Sequence, residues 1–366
     1  MTAIALSTYR RHVACNYRPL ILIGWACLVF GVFWFASRYP QLLTKAEHVG
    51  LPVSSMAYGS ERFPVPVDAA LWQRILYGAA NWLDGMKIGM SFGVLLGALL
   101  HTTLRYYSLK IGKSLYLNSL KGALVGVPTG ICANCSVPAI CGLTRGHGRV
   151  EVALGFLFSS PNFNPVVVAM TFAAMPLAMS VTKYAILLFV ILCLVPFVIK
   201  RLERDKLLPV LTVGNEGELR IRGLAPPDCS EPFVSVLGEM ARDYARNVWA
   251  LAKPTLTLML MASVVASALL TLIPWQSLLS EVTPLRAIVV SLISTFMPVP
   301  IALDVMFAAV LNKQGISGGY VMLFLMTLGT FSVVPFTYLW REVSKRLAAI
   351  LFGFFMLVGV VSAFVF

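Results

Sequence analysis

Charge is scarce in this chain. Lys, Arg, Asp and Glu make up 12% of its 366 residues, about half the roughly 25% of an ordinary globular protein. With 58% hydrophobic residues and a mean hydropathy of +0.81, that deficit excludes a soluble globular or disordered chain. No Gly-x-x-x-x-Gly-Lys-Ser/Thr loop is present, and no large soluble domain separates the apolar runs. Work driven by nucleotide hydrolysis would therefore need another subunit. The seven cysteines (15, 27, 132, 135, 141, 193, 229) are odd in number and mostly lie inside apolar segments, so no extracellular disulfide framework is expected. The formal net charge of +13 would suit nucleic acid, but no basic domain stands outside the apolar runs, and no nucleic-acid partner is expected. Lys and Arg instead read as the cytoplasmic loops of a membrane protein. The first apolar run, 19–37, lacks a persuasive cleavage site and is long for a signal-peptide core, so it reads as a retained helix.

What the chain has in abundance is apolar runs of about 20 residues, the length that crosses a bilayer as a helix. The expectation is an all-α polytopic membrane protein, multi-pass in the inner membrane. Its first part, 1–83, holds helix 19–37 and an extracytoplasmic segment ending in an interfacial helix, Ala69–Trp82, whose Trp72, Tyr77 and Trp82 suit the headgroup layer. A first transmembrane repeat, 84–199, contains a helix at 86–104, an interrupted segment at 117–143, and helices at 151–174 and 177–199. A polar cytoplasmic linker with an amphipathic helix, 233–252, fills 200–252. The second repeat, 253–366, offers a helix at 254–274, an interrupted segment at 284–312, and helices at 319–339 and 346–366.

The halves match at one offset. Asp84 and Lys253 are 169 apart, Pro128 and Pro298 170, Gly146 and Gly315 169, Pro165 and Pro335 170. If every segment crosses, there are nine spans and the basic linker lies outside, against the positive-inside rule. If 117–143 and 284–312 are re-entrant or broken-helix hairpins, seven spans remain. The N-terminus, 105–121, 144–150, 200–253 and 341–346 then become cytoplasmic, with 21 of the 29 Lys and Arg. The second repeat is then inverted relative to the first, an inverted-repeat bundle of the kind many secondary transporters share. This second arrangement is the expectation, N-terminus inside and C-terminus outside.

Three places carry chemistry. Cys132 and Cys135 are three apart and share a helix face; they read as a soft site for a metal or metalloid, as a redox dithiol, or as small residues packing in a helix interface. Ser159, Ser160, Asn162 and Asn164 sit with Pro161 and Pro165 at mid-span. Each proline removes a donor and frees a carbonyl, here those of Leu157 and Pro161, which lipid cannot satisfy. The region reads as a discontinuous helix presenting polar groups to a solute. Asp304, in the second interrupted segment, aligns with Cys135 and reads as a carboxylate coupling a proton or cation, or as a hydrogen-bond partner of freed backbone. Lys183 is expected to snorkel outward, and Arg145, His147 and Arg149 to form a solvated basic turn.

The runs Cys135-Ser-Val-Pro138, Gly142-Leu-Thr-Arg-Gly-His-Gly148 and Phe156-Leu-Phe-Ser-Ser-Pro161-Asn-Phe-Asn164-Pro165 resemble the permease family that includes ArsP-type organoarsenical efflux permeases and YraQ-like proteins. The resemblance is specific over 130–170 and looser over 290–340. It implies an inner-membrane permease rather than an enzyme, with no cofactor. For ArsP-type members it implies export of trivalent organoarsenicals through cysteine thiols. Carried across, Cys132 and Cys135 would bind the metalloid, with Asn162 and Asn164 lining the path; Asn134, between the thiols, is a further candidate substrate-binding residue. Ala133-Asn134 between the thiols and a polar-poor second hairpin depart from the family pattern. Two other classes stand beside it. One is a permease for another small solute, such as a sulfur-containing anion. The other is a membrane thiol oxidoreductase using Cys132 and Cys135, against which the lack of a second extracytoplasmic cysteine pair counts.

Overall fold

A computed structural model describes residues 17–47, 62–66, 69–107, 112–145, 149–205 and 232–366. The turn 146–148, the linker 206–231 and the N-terminal arginines 10 and 11 lie outside the described residues. Among those described there are helices and no strands, and the chain is an all-α polytopic membrane protein. Among the described residues five helices are long and apolar enough to cross a bilayer, and a pair bent by 50° is apolar enough to make a sixth if it counts as one span.

Helix α1 (Tyr17–Phe33) runs through a π-turn (Trp34–Arg38) into α2 (Tyr39–Glu47). The expected interfacial helix and the helix after it are one continuous element, α3 (Leu71–Tyr106). Nothing between Trp82 and Met86 breaks it, since Gly85 alone costs only about 1 kcal/mol in a helix. A hairpin follows, α4 (Leu115–Gly126) and α5 (Ala133–Arg145). Next come the bent pair α6 (Val150–Asn162) and α7 (Pro165–Ala174), then a span of α8 (Leu177–Phe189), a π-turn, and α9 (Val195–Arg204).

The second half repeats this order. The amphipathic helix and the helix after it again fuse, into α10 (Phe233–Leu272), with Pro254 inside. A short α11 (Trp275–Leu278) leads to the hairpin α12 (Pro284–Phe296) and α13 (Leu303–Lys313). The expected span 319–339 is divided into α14 (Gly318–Thr327) and α15 (Val333–Tyr338), separated by a break at 328–332. Helix α16 (Lys345–Val365) closes the fold.

The equivalent helices α3 and α10 pack antiparallel. Ser267 bonds the Ile75 carbonyl at one end (2.8 Å), while Asn247 bonds Thr102 (2.9 Å) and Tyr106 bonds Asp243 (2.9 Å) at the other. Helix α3 also receives α5, because Gly93 and Gly97 leave room for its backbone. A Cβ at Gly93 would fall 2.0 Å from the Cys135 carbonyl oxygen, and one at Gly97 2.2 Å from that of Pro138. This is close packing by small residues, the main source of helix association in lipid. Large apolar side chains such as Leu20, Phe35, Leu177, Trp249 and Leu285 stay exposed, as a lipid-facing surface requires.

Candidate functional site

Both hairpins break where proline removes donors, and each break must satisfy its carbonyls without water. In the first, Val127–Thr129 forms a single 3-10 turn and Gly130 takes a left-handed conformation (φ 55°). In the second, Pro298 and Pro300 remove two N–H groups, and Ala302 is held at φ 64°, a conformation costly for a residue with a Cβ. The indole of Trp34 donates to the Pro128 carbonyl (2.7 Å), and that of Trp82 donates to the Pro298 carbonyl (2.8 Å). Equivalent prolines are thus capped by equivalent chemistry.

Asn134 joins the two breaks. Its amide donates to the Val299 carbonyl (3.2 Å), and its carbonyl oxygen accepts from Ser332 (2.5 Å) in the α14–α15 break. Cys135 follows it directly and Cys132 lies two residues before it, so the thiol pair enters at the same place. Cys132 and Cys135 are 2% and 1% exposed. The Cys135 amide donates to the Cys132 sulfur (3.3 Å), fixing the pair across the first turn of α5. Met86, on α3, brings a third sulfur, 3.8 Å from Cys132 Sγ and 4.0 Å from Cys135 Sγ. Arg38 is buried on the same side of α3. Its Nη2 and Cys135 Sγ both crowd Gly89, where an added Cβ would sit 3.1 and 3.0 Å from them. Met86 and Arg38 carry no sequence signal, for they reach the thiols from other helices.

The polar cluster at mid-span is turned mainly to its own half. Ser159 donates to the Ala123 carbonyl (2.9 Å) on α4. Ser160 pairs with Thr129 (2.6 Å) and bonds both the amide and the carbonyl of Ile131 (3.2 Å each). Asn162 donates to the Phe158 carbonyl (3.0 Å). Asn164 caps α7 by accepting from the Val166 amide (3.0 Å), while its Nδ2 is buried without a partner. Ser159 and Ser160 therefore hold the first hairpin and its break, and Asn164 keeps one donor for something else.

Asp304 is buried and paired with Lys183, from α8, which is fully buried. The outward reach expected of Lys183 is thus corrected: facing lipid with no partner would cost more than meeting a carboxylate in the interior. The pair ties the first half to the second. It lies beside the α14–α15 break, where a Cβ on Gly329 would be 4.0 Å from Asp304 Oδ1.

A cavity of about 430 Å3 opens between α5, α10 and α15. Its walls are apolar (Val137, Pro138, Met261, Val333), with Arg145, Lys253, Arg341 and Glu342 at its rim. Its inner wall at Val137 and Pro138 is on the same helix as Cys135, within one turn.

Two proline-broken hairpins, tied together at Asn134, thus sit at the centre of the helix bundle. Residues 84–366 match the ArsP_1 family, described as predicted permeases. The chain belongs to that family. The permease is also 27% identical over 143 residues to the UPF0718 protein YraQ of Escherichia coli (strain K12). That alignment covers 38% of the permease and 39% of its relative, so it spans well under half the length of either. No solved structure matches the permease. The family match begins in α3 and covers both hairpins, the bent pair α6–α7 and the divided pair α14–α15.

Proposed function

We propose that this permease exports a thiophilic metalloid such as a trivalent organoarsenical across the inner membrane, driven by a gradient. The observation that carries the reading is the buried Cys132–Cys135 pair at the point where Asn134 ties the two hairpin breaks together. A monosubstituted trivalent arsenic has two exchangeable positions, which two thiols fill with loss of two waters. The apolar-walled cavity with a basic rim is the entrance, on the side that the positive-inside rule makes cytoplasmic. The bent helices complete the path, and the partnerless Nδ2 of Asn164 is a donor available to a passing solute.

Asp304 acts as the coupling carboxylate for a proton or cation. Its partner Lys183 belongs to the other half, so a change at Asp304 alters the attraction between halves. The antiparallel packing of α3 and α10 supports reading the halves as inverted repeats, the arrangement in which such alternation is symmetric.

The test is uptake of methylarsenite into inside-out vesicles. Cys132→Ser/Cys135→Ser should abolish accumulation while leaving insertion intact, and Asp304→Asn should abolish uphill accumulation. Unchanged accumulation in the double cysteine variant would remove the thiol assignment. A reversible Cys132–Cys135 disulfide cycling with a quinone would favour the thiol oxidoreductase instead.

A further inference from the structure

We propose that Met86, Cys132 and Cys135 form a three-sulfur site for a soft monovalent metal cation of the silver or copper(I) type, with Arg38 as its built-in counter-charge. The inference rests on the thiol pair being a solute site and adds a class of solute to it.

Geometry is the first support. A metal about 2.3 Å from each sulfur in a trigonal plane holds the sulfurs about 4.0 Å apart. The Met86 sulfur lies 3.8 Å from one thiol and 4.0 Å from the other, so the thioether already stands at that spacing from each thiol, and the Cys135 amide on the Cys132 sulfur holds the two thiols in the same turn. Donor chemistry is the second. The third sulfur at the thiol pair is the Met86 thioether, brought in from α3. Thiolate and thioether ligands together select soft centres, copper(I) foremost, whereas hard cations require oxygen.

Charge is the third. Arg38 is 6% exposed, its Nε is buried without a partner, and its guanidinium carbon stands 5.0 Å from the Phe33 ring centre. A buried guanidinium without an opposite charge is costly. When a monovalent cation enters, the two thiol protons leave to solvent. Two thiolates, one metal and one guanidinium then sum to zero. A divalent metal would leave a positive charge in the membrane interior, so the site discriminates by charge as well as by softness.

The experiment uses the full chain in lipid nanodiscs with silver ion as probe, in chloride-free buffer. Affinity is read by competition with a silver chelator, and the donor set by silver X-ray absorption. Cys132→Ser/Cys135→Ser gives the background from the other cysteines. One silver per chain above that background, bound by three sulfurs, is expected. Met86→Leu should weaken binding at least tenfold and reduce the set to two sulfurs. Phenylarsine oxide, whose arsenic has only two exchangeable positions, is captured by the two thiols and reports that pair independently of silver. Equal silver affinity in wild type and Met86→Leu overturns the site, as does the absence of silver above background. Arsenical capture without silver binding removes this inference alone; loss of both probes removes the thiol reading beneath it.

Discussion

At the scale of single residues, the buried ion pair is the sharpest commitment in the molecule. Lys183→Met should strand the Asp304 carboxylate in the interior and lower stability by about 3–5 kcal/mol, read as the midpoint of denaturant unfolding in detergent. Lys183→Met with Asp304→Leu should recover most of that loss, since replacing both charges by apolar groups of similar size is often neutral. If the recovered protein still drives uphill transport, Asp304 is structural and not coupling. Asp304 is conspicuous in the sequence because a carboxylate in an apolar run needs a reason. Its partner is not, because Lys183 lies 121 positions away and no periodicity links them. The same holds for the sulfur site. Cys132 and Cys135 announce themselves by spacing, while Met86 and Arg38 look like an ordinary apolar residue and an ordinary basic one until helices from elsewhere bring them in.

At the scale of elements, the decisive contacts are glycines that admit backbone. Gly97→Ala places a Cβ 2.2 Å from the Pro138 carbonyl oxygen, and a rigid backbone cannot give way as a side chain can. The expected loss is about 1–3 kcal/mol, typical of overpacking. Gly353→Ala, with nothing within 4 Å of its Cβ, should be neutral or stabilising by up to about 1 kcal/mol. Parallel thermal-shift measurements in the same detergent separate the two. The breaks themselves are legible in the sequence, because proline beside polar residues inside an apolar run leaves carbonyls that an unbroken helix in lipid could not satisfy. Helix ends are less so. Trp82 and Asp84 look like the edge of an interfacial helix, yet the backbone continues through them. Pro254 looks like a beginning and instead lies inside α10. A single proline or glycine can be absorbed when neighbouring helices supply the packing, and local sequence does not record those neighbours.

At the scale of the whole molecule, the two halves repeat one order of elements, and their long helices run in opposite directions. An inverted arrangement requires Arg204 and Arg346 to share one side of the membrane and Lys313 to face the other. Cysteines introduced at these three exposed positions, in a background lacking the exposed natural ones, should react with an impermeant maleimide from the cytoplasm at 204 and 346 and from outside at 313. Labelling of all three from one side would defeat the inversion. In the sequence the shared 169–170 offset suggests a repeat and the distribution of Lys and Arg an inverted one; the antiparallel packing of α3 and α10 is compatible with that orientation.

The indole groups of Trp34 and Trp82, each bound to the carbonyl of an interrupted turn, have a practical corollary. They are intrinsic chromophores, each bound directly to one of the two breaks. With the remaining five tryptophans and one of this pair replaced by phenylalanine, emission wavelength becomes a gauge of one turn at a time. Light alone would then tell which of the two yields first.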